Sequence, residues 1–267
     1  MHGTLPRPQH RPSRSLGDRI AFAGLLALGV AFYVLCLRVA QVDFSKLWDG
    51  LPRLATWAAR AWPPDLSEVS ILTYRAAETV AMGTVGTSFG ALIAVPLCLL
   101  AARNVTASPL IRLPARWLLN TLRGIDSFIF ALILVAAVGL GPFAGVLGLA
   151  LHAAGSIAKL WSESIETAEP GPIEAVTMSG AGRLKVIRYA LVPDVLPSLT
   201  SITLYMWEWS IRASTVLGVV GAGGIGQELK NSVDLLAFDR VLTILILVLV
   251  MVTVIDGVSA WLRRRLT

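Results

Sequence analysis

Long apolar runs separated by short polar intervals set the pattern of this chain. They fall at residues 20–37, 71–102, 120–139, 142–160, 197–220 and 240–262. Each is at least about as long as a helix needs to be to cross about 30 Å of hydrocarbon. A helix satisfies its own backbone in lipid, which an open sheet edge cannot do. The alternating ten-residue segments of a membrane barrel are missing from the sequence. The pattern therefore predicts an all-α membrane protein with six transmembrane helices.

Three divisions follow: a basic cytoplasmic tail at 1–19, a first span with an outer amphipathic helix at 20–70, and a transmembrane domain at 71–267. Arg38 directly follows the first run and no small-x-small cleavage site appears, so the run reads as a span and not as a signal peptide. Between 41 and 70, Phe44, Leu47, Trp48, Leu51, Leu54 and Trp57 recur at helical spacing. Tryptophans on one face suit the membrane interface, which predicts a lateral interfacial helix before the second span. Gly83, Gly86 and Gly90 give the second span a small-residue face for close helix approach, and Pro96 predicts a kink. Residues 103–118, with Arg103, Arg112 and Arg116, read as a basic loop.

Composition agrees. The 267 residues are 55% hydrophobic and 15% charged, and the mean hydropathy is +0.70. A soluble domain carries about a quarter charged residues. The net charge of +6 is dispersed among the loops, which points to the positive-inside rule and away from a nucleic-acid partner. With both termini inside, basic residues of the tail, of 103–123, of 159–188 and of the Arg263–Arg264–Arg265 end all face the cytoplasm. The outer face keeps Lys46, Arg53, Arg60, Arg75, Lys230 and Arg240. Cys36 and Cys98 lie in apolar runs and read as lipid- or core-facing thiols.

The longest polar interval, 163–197, then lies in the cytoplasm. Within it Ile173, Val176, Leu184 and Ile187 alternate with Glu174, Arg183, Lys185 and Arg188 as in a short amphipathic helix. Gly180 and Gly182 allow a tight turn, and Pro193 and Pro197 open the next apolar run. Such an insert suits docking against a soluble partner. Elsewhere Gly221, Gly223, Gly224 and Gly226 match the spacing of a dinucleotide fingerprint. They follow an apolar helix and not a strand, and Gln227–Glu228 stand where a phosphate loop needs lysine. The stretch reads as a flexible gating or re-entrant turn.

Glu208 and Arg212, one helical turn apart in the fifth run, are costly at membrane depth. Read structurally, they pair with each other. Read functionally, Arg212 helps an anion cross while Glu208 holds it between cycles, with Trp207 and Trp209 as gate or packing residues. Arg123 and Asp126 form a second charged pair near the third run. His152, alone in the fourth run, reads as a hydrogen-bonded packing residue. No residue set suits nucleophilic or metal catalysis, so the chain reads as a transporter and not an enzyme.

Glu174–Ala175, Gly180 and Pro193 resemble the EAA loop of ABC importer permeases, with Val176 and Ala190 as departures from its usual pattern. The segments 78–104, 137–155 and 211–229 are similar to the phosphonate-type ABC transporter permease, and the resemblance covers roughly residues 73–262. It implies the MetI-like permease fold in a bacterial inner membrane, with a second permease copy, either identical or a paralogue. It also implies a cytoplasmic ABC ATPase dimer that holds the ATP and Mg, and an extracytoplasmic substrate-binding protein. No cofactor is implied in this chain. Glu174, Ala175, Gly180, Gly182, Arg183 and Pro193 then become ATPase-coupling residues. Glu208, Arg212, Trp207, Arg123 and Asp126 become residues of the path for a phosphorus oxyanion: phosphonate, phosphite, hypophosphite or phosphate. The competing class is an ion-coupled secondary transporter of a small anion, which would carry its own ion site near the midplane.

Overall fold

The computed structural model describes residues 16–266. The expected basic tail lies outside them except for 16–19, which begin the first helix. The described residues form helices and turns, with no strand among them. Two compact units divide the chain, Met1–Thr56 and Trp57–Thr267.

The first unit holds α1 (Leu16–Val39) and most of α2 (Phe44–Arg60). The expected amphipathic helix is thus α2, and none of its residues is buried. Asp43 precedes it and accepts hydrogen bonds from the backbone and the hydroxyl of Ser45.

The second unit contains α3 (Val69–Ala101), α4 (Pro109–Gly124), α5 (Ser127–Val138), α6 (Pro142–Glu166), α7 (Pro170–Met178), α8 (Arg183–Val186), α9 (Val192–Leu217), α10 (Gly224–Asp234) and α11 (Phe238–Leu266). A π-helical turn, Ile187–Leu191, joins α8 to α9. The core runs along α6, whose inward face is small: Ala150, Ala153, Ala154 and Ala158 are all buried. The glycine face of α3 meets it as the spacing predicts. A Cβ built on Gly86 would stand 2.7 Å from Leu149 Cβ, and one on Gly90 2.6 Å from Ala153 Cβ. Gly83 turns to Ile211 of α9 in the same way. Around Gly90 the near atoms include the Ala150 carbonyl and the Ala154 amide, both at 3.0 Å, so no flexible side chain can yield. Gly90→Leu is expected to separate α3 from α6 and to destabilise the fold by about 1–3 kcal/mol or more. Thermal unfolding of the detergent-solubilised protein measures this, and an unchanged midpoint would contradict the packing.

Two expectations need correction. The third span is not one helix over 120–139. The chain breaks between α4 and α5, whose axes are bent by 87°. The cause is local: Asp126 takes an extended conformation (ψ 148°) and its carboxylate accepts from the Phe128 amide at 2.8 Å, capping a new helix. The basic loop at 103–118 is also mostly helical. From Pro109 it forms α4, which buries Ala115 and Leu119, half-buries Arg112 and Arg116, and exposes Leu110, Trp117 and Arg123. Arg116 anchors it by donating Nε to the Ala101 carbonyl at 2.9 Å and pairing with Glu166.

Among the described residues, four helices can cross a membrane by length and composition, and five if α4 and α5 make one broken span. The 26-residue α9 is long enough for a sixth but carries Asp194, Glu208 and Arg212. α3 runs unbroken through Pro96.

Candidate functional site

Polar chemistry gathers at three places: the insert between α6 and α9, a groove beside α9, and the turn between α9 and α11.

In the insert, Pro170 starts α7, where its missing amide costs nothing. The Glu169 amide donates to Asp194 at 3.2 Å, tying the start of α7 to α9. Ile173 and Val176 turn inward, while Glu174 and Ala175 are exposed. The helix ends at Gly180, whose φ of +75° is left-handed. Gly180 donates its amide to the Thr177 carbonyl at 3.0 Å. Gly182 follows with an ordinary φ and accepts from the Lys185 amide at 2.8 Å. Arg183 opens α8, and the position of its side chain lies outside the described part. Pro193 sits in the first turn of α9. The single amphipathic face expected over Ile173–Val176–Leu184–Ile187 does not form. Leu184, beyond the left-handed turn at Gly180, is 83% exposed. Met178, 89% exposed, lies beside that turn. The surface thus carries a carboxylate, Glu174, and two unpartnered apolar side chains.

The groove lies between the start of α5 and the C-terminal half of α9 and encloses about 350 Å³. Asp126, Phe128, Trp209, Arg212, Ala213 and Val216 are among its lining residues. Arg212 Nη1 stands 3.2 Å from Asp256 Oδ1 of α11, and its Nη2 3.9 Å from Glu208 Oε2. Glu208 has a much closer partner: Arg263 Nη2 donates to its Oε1 at 2.5 Å. So Glu208 and Arg212 are not the self-contained pair that their spacing suggests. They belong to a four-member network that includes α11. The other charged pair is absent. Arg123 is exposed, no ion pair joins it to Asp126 among the described residues, and Asp126 caps α5 instead. Asp126 nonetheless shares the groove with Arg212. Trp207 points elsewhere, donating Nε1 to Thr84 Oγ1 at 2.9 Å, whereas Trp209 lines the groove and stacks on His152 at 4.6 Å. His152 bonds the Ile125 carbonyl at 2.9 Å, as a packing histidine does.

The glycine turn is tightly packed, unlike the flexible loop expected. Gly221, Gly223 and Gly224 all have left-handed φ. Ala222, Gly224, Ile225 and Gly226 are buried, and the Ile225 amide donates to Thr79 Oγ1 at 2.8 Å. The helix that follows, α10, gives no apolar run and escapes sequence reading. Its Glu228 pairs with Arg240 at 3.0 Å and with Arg75 at 3.4 Å. Glu78 and Glu68 complete the cluster, at 2.9 Å from Arg75 and 2.8 Å from Arg240.

Sequence reasoning also missed Asp256 and gave Arg263 only a terminal role. A lone carboxylate inside the last apolar run was the available signal.

The profile of a family described as a binding-protein-dependent transport system inner membrane component matches residues 79–267. The chain is 46% identical over 263 residues to a Stutzerimonas stutzeri protein provisionally named a phosphite transport system permease protein, covering 98% of this chain and 91% of that one. It is 39% identical to a phosphite transport system permease protein of the same organism, over 94% of this chain and 89% of that one. A phosphate-import permease protein of Mycolicibacterium smegmatis is 38% identical over 96% of this chain and 48% of its own length. Among solved structures, the inward-facing MetNI methionine ABC transporter shares the fold, with a TM-score of 0.67, 24% identity, and coverage of 76% of this chain and 99% of that one.

Proposed function

The chain belongs to the family of binding-protein-dependent transport system inner membrane components, and we propose that it is the permease subunit of an ATP-driven importer for a phosphorus oxyanion. The family makes it a multi-pass inner-membrane transport subunit that works with a separate ATPase and a substrate-binding protein. The relatives named for phosphite and phosphate suggest the substrate class: phosphonate, phosphite, hypophosphite or phosphate. The observation that carries the reading in this molecule is Arg212, a half-exposed guanidinium lining a groove between apolar helices. An anion leaving water for such a bundle loses several kcal/mol unless a donor meets it.

In this reading Glu174, Ala175, Gly180, Gly182, Arg183 and Pro193 shape the surface that docks into a cytoplasmic ATPase dimer, where ATP and Mg reside. α9 serves as the sixth span, α2 lies along the outer interface, and both termini face the cytoplasm. A second permease copy, identical or a paralogue, completes the pathway.

Two measurements test this. Uptake of labelled phosphite, phosphonate and phosphate into proteoliposomes should require both ATP and the ATPase. Uptake driven by an ion gradient alone would favour a secondary transporter instead. For topology, with Cys36 and Cys98 replaced by serine, Ser179→Cys should label only from the cytoplasm and Asn231→Cys only from outside. Labelling of Ser179→Cys solely from outside would overturn the arrangement.

A further inference from the structure

We propose that Arg263 is a positioning residue for the anion path: by occupying Glu208 it leaves Arg212 turned into the groove, with Asp256 as the partner an incoming anion displaces. The proposal rests on the permease reading above.

Glu208 is the buried member of the network, its side chain only 9% exposed. A buried carboxylate must be paired, and losing its partner is strongly unfavourable. Two guanidiniums are within reach. Arg212 is the default, because residues four apart share one helical face. Yet Arg212 stands at 3.9 Å, beyond hydrogen-bond distance, while Arg263 donates at 2.5 Å. The α11 register explains this. Asp256 and Arg263 lie two turns apart on one face of α11 and meet Arg212 and Glu208 in antiparallel order. The neighbouring arginines take other roles: Arg264 bonds the Ala260 carbonyl and Arg265 covers the Trp261 ring at 4.7 Å.

With Glu208 satisfied from α11, Arg212 stays 43% exposed on the groove. Its nearest partner, Asp256, is itself 46% exposed. Water can solvate Asp256 when it is released, which it could not do for Glu208. An anion therefore exchanges with the carboxylate that is easier to free. Without Arg263, Glu208 must recapture Arg212, and the groove loses its guanidinium.

The test uses a cysteine reporter and uptake kinetics in the assembled complex. Val216, exposed on the groove one turn beyond Arg212, becomes Val216→Cys in a protein lacking Cys36 and Cys98. The ratio of its reaction rates with anionic and cationic methanethiosulfonate reagents reads the local potential, whatever the substrate. Arg263→Gln should lower that ratio about fivefold or more. The same change in an Arg212→Gln background should add almost nothing, since Arg263 acts through Arg212. Uptake should show a raised KM with little change in maximum rate. Arg263→Lys should recover most of both readouts. An unchanged ratio in Arg263→Gln, or an equal fall in the Arg212→Gln background, overturns the proposal. Absence of ATP-dependent uptake of any phosphorus oxyanion by the parental complex would instead sink the permease reading, and the thiol ratio would still decide what Arg263 does.

Discussion

Gly180→Trp is expected to abolish transport while the protein still inserts and folds. Gly180 ends α7 with a φ of +75°, and a Cβ built there would meet nothing within 4 Å. The internal cost of a side chain is therefore conformational, about 1–2 kcal/mol for an L residue held left-handed. That strain is confined to a surface turn whose backbone bonds stay within the insert. The larger effect is external. Glu174 is exposed on α7, and Met178 and Leu184 flank the turn almost fully exposed. An indole at Gly180 adds bulk to the middle of that surface and holds a docked ATPase off it. Asparagine tolerates the left-handed conformation and is small, so Gly180→Asn should retain much of the transport that Gly180→Trp loses. Substrate-stimulated ATP hydrolysis and co-purification of the ATPase measure both variants. Parental ATP hydrolysis in Gly180→Trp would show that this turn does not face the partner.

The parts of this fold legible in the sequence are those set by local pattern. Apolar runs locate α1, α3, α6 and α11, and the glycine spacing of α3 gives the face that meets α6. Amphipathic periodicity gives α2. α4 was hidden because its arginines read as loop charge, although Ala115 and Leu119 lie four apart on its buried face. Its break from α5 has a local signal in Asp126–Ser127 before an apolar run, a helix cap inside what looks like one span. The ion pairs are a different matter. Glu208 finds Arg263 across 55 residues of sequence, and Glu228 finds Arg75 and Arg240 from a helix too polar to announce itself. Spacing four apart favours Glu208 with Arg212, and only the packing of α11 on α9 overrides it. Arg75 and Arg240 likewise count as free positive charge in a topology argument, yet each is paired with carboxylates.

The double change Glu208→Gln with Arg212→Gln is expected to leave the complex assembled and to cut anion uptake by about 10–100-fold, the factor that one lost charge-assisted hydrogen bond to the crossing anion supplies. The network makes assembly the safer half of this expectation. Removing Glu208 and Arg212 together takes away one charge of each sign. Asp256 keeps contact with water, and Arg263 lies at the end of α11, where a released guanidinium can turn outward. The single change Arg212→Gln is gentler still for folding, because Glu208 keeps Arg263 at 2.5 Å. Its uptake should nevertheless fall as far as that of the double variant, since both lose the only guanidinium among the residues lining the groove. A structural role forecasts the reverse order: the single change would weaken assembly, the double change would restore it, and uptake would follow assembly. Co-purification with the ATPase reads assembly, and labelled phosphite, phosphonate or phosphate in vesicles reads uptake. If either variant assembles and transports at the parental rate, Arg212 is not on the path, and the groove beside α9 carries no anion.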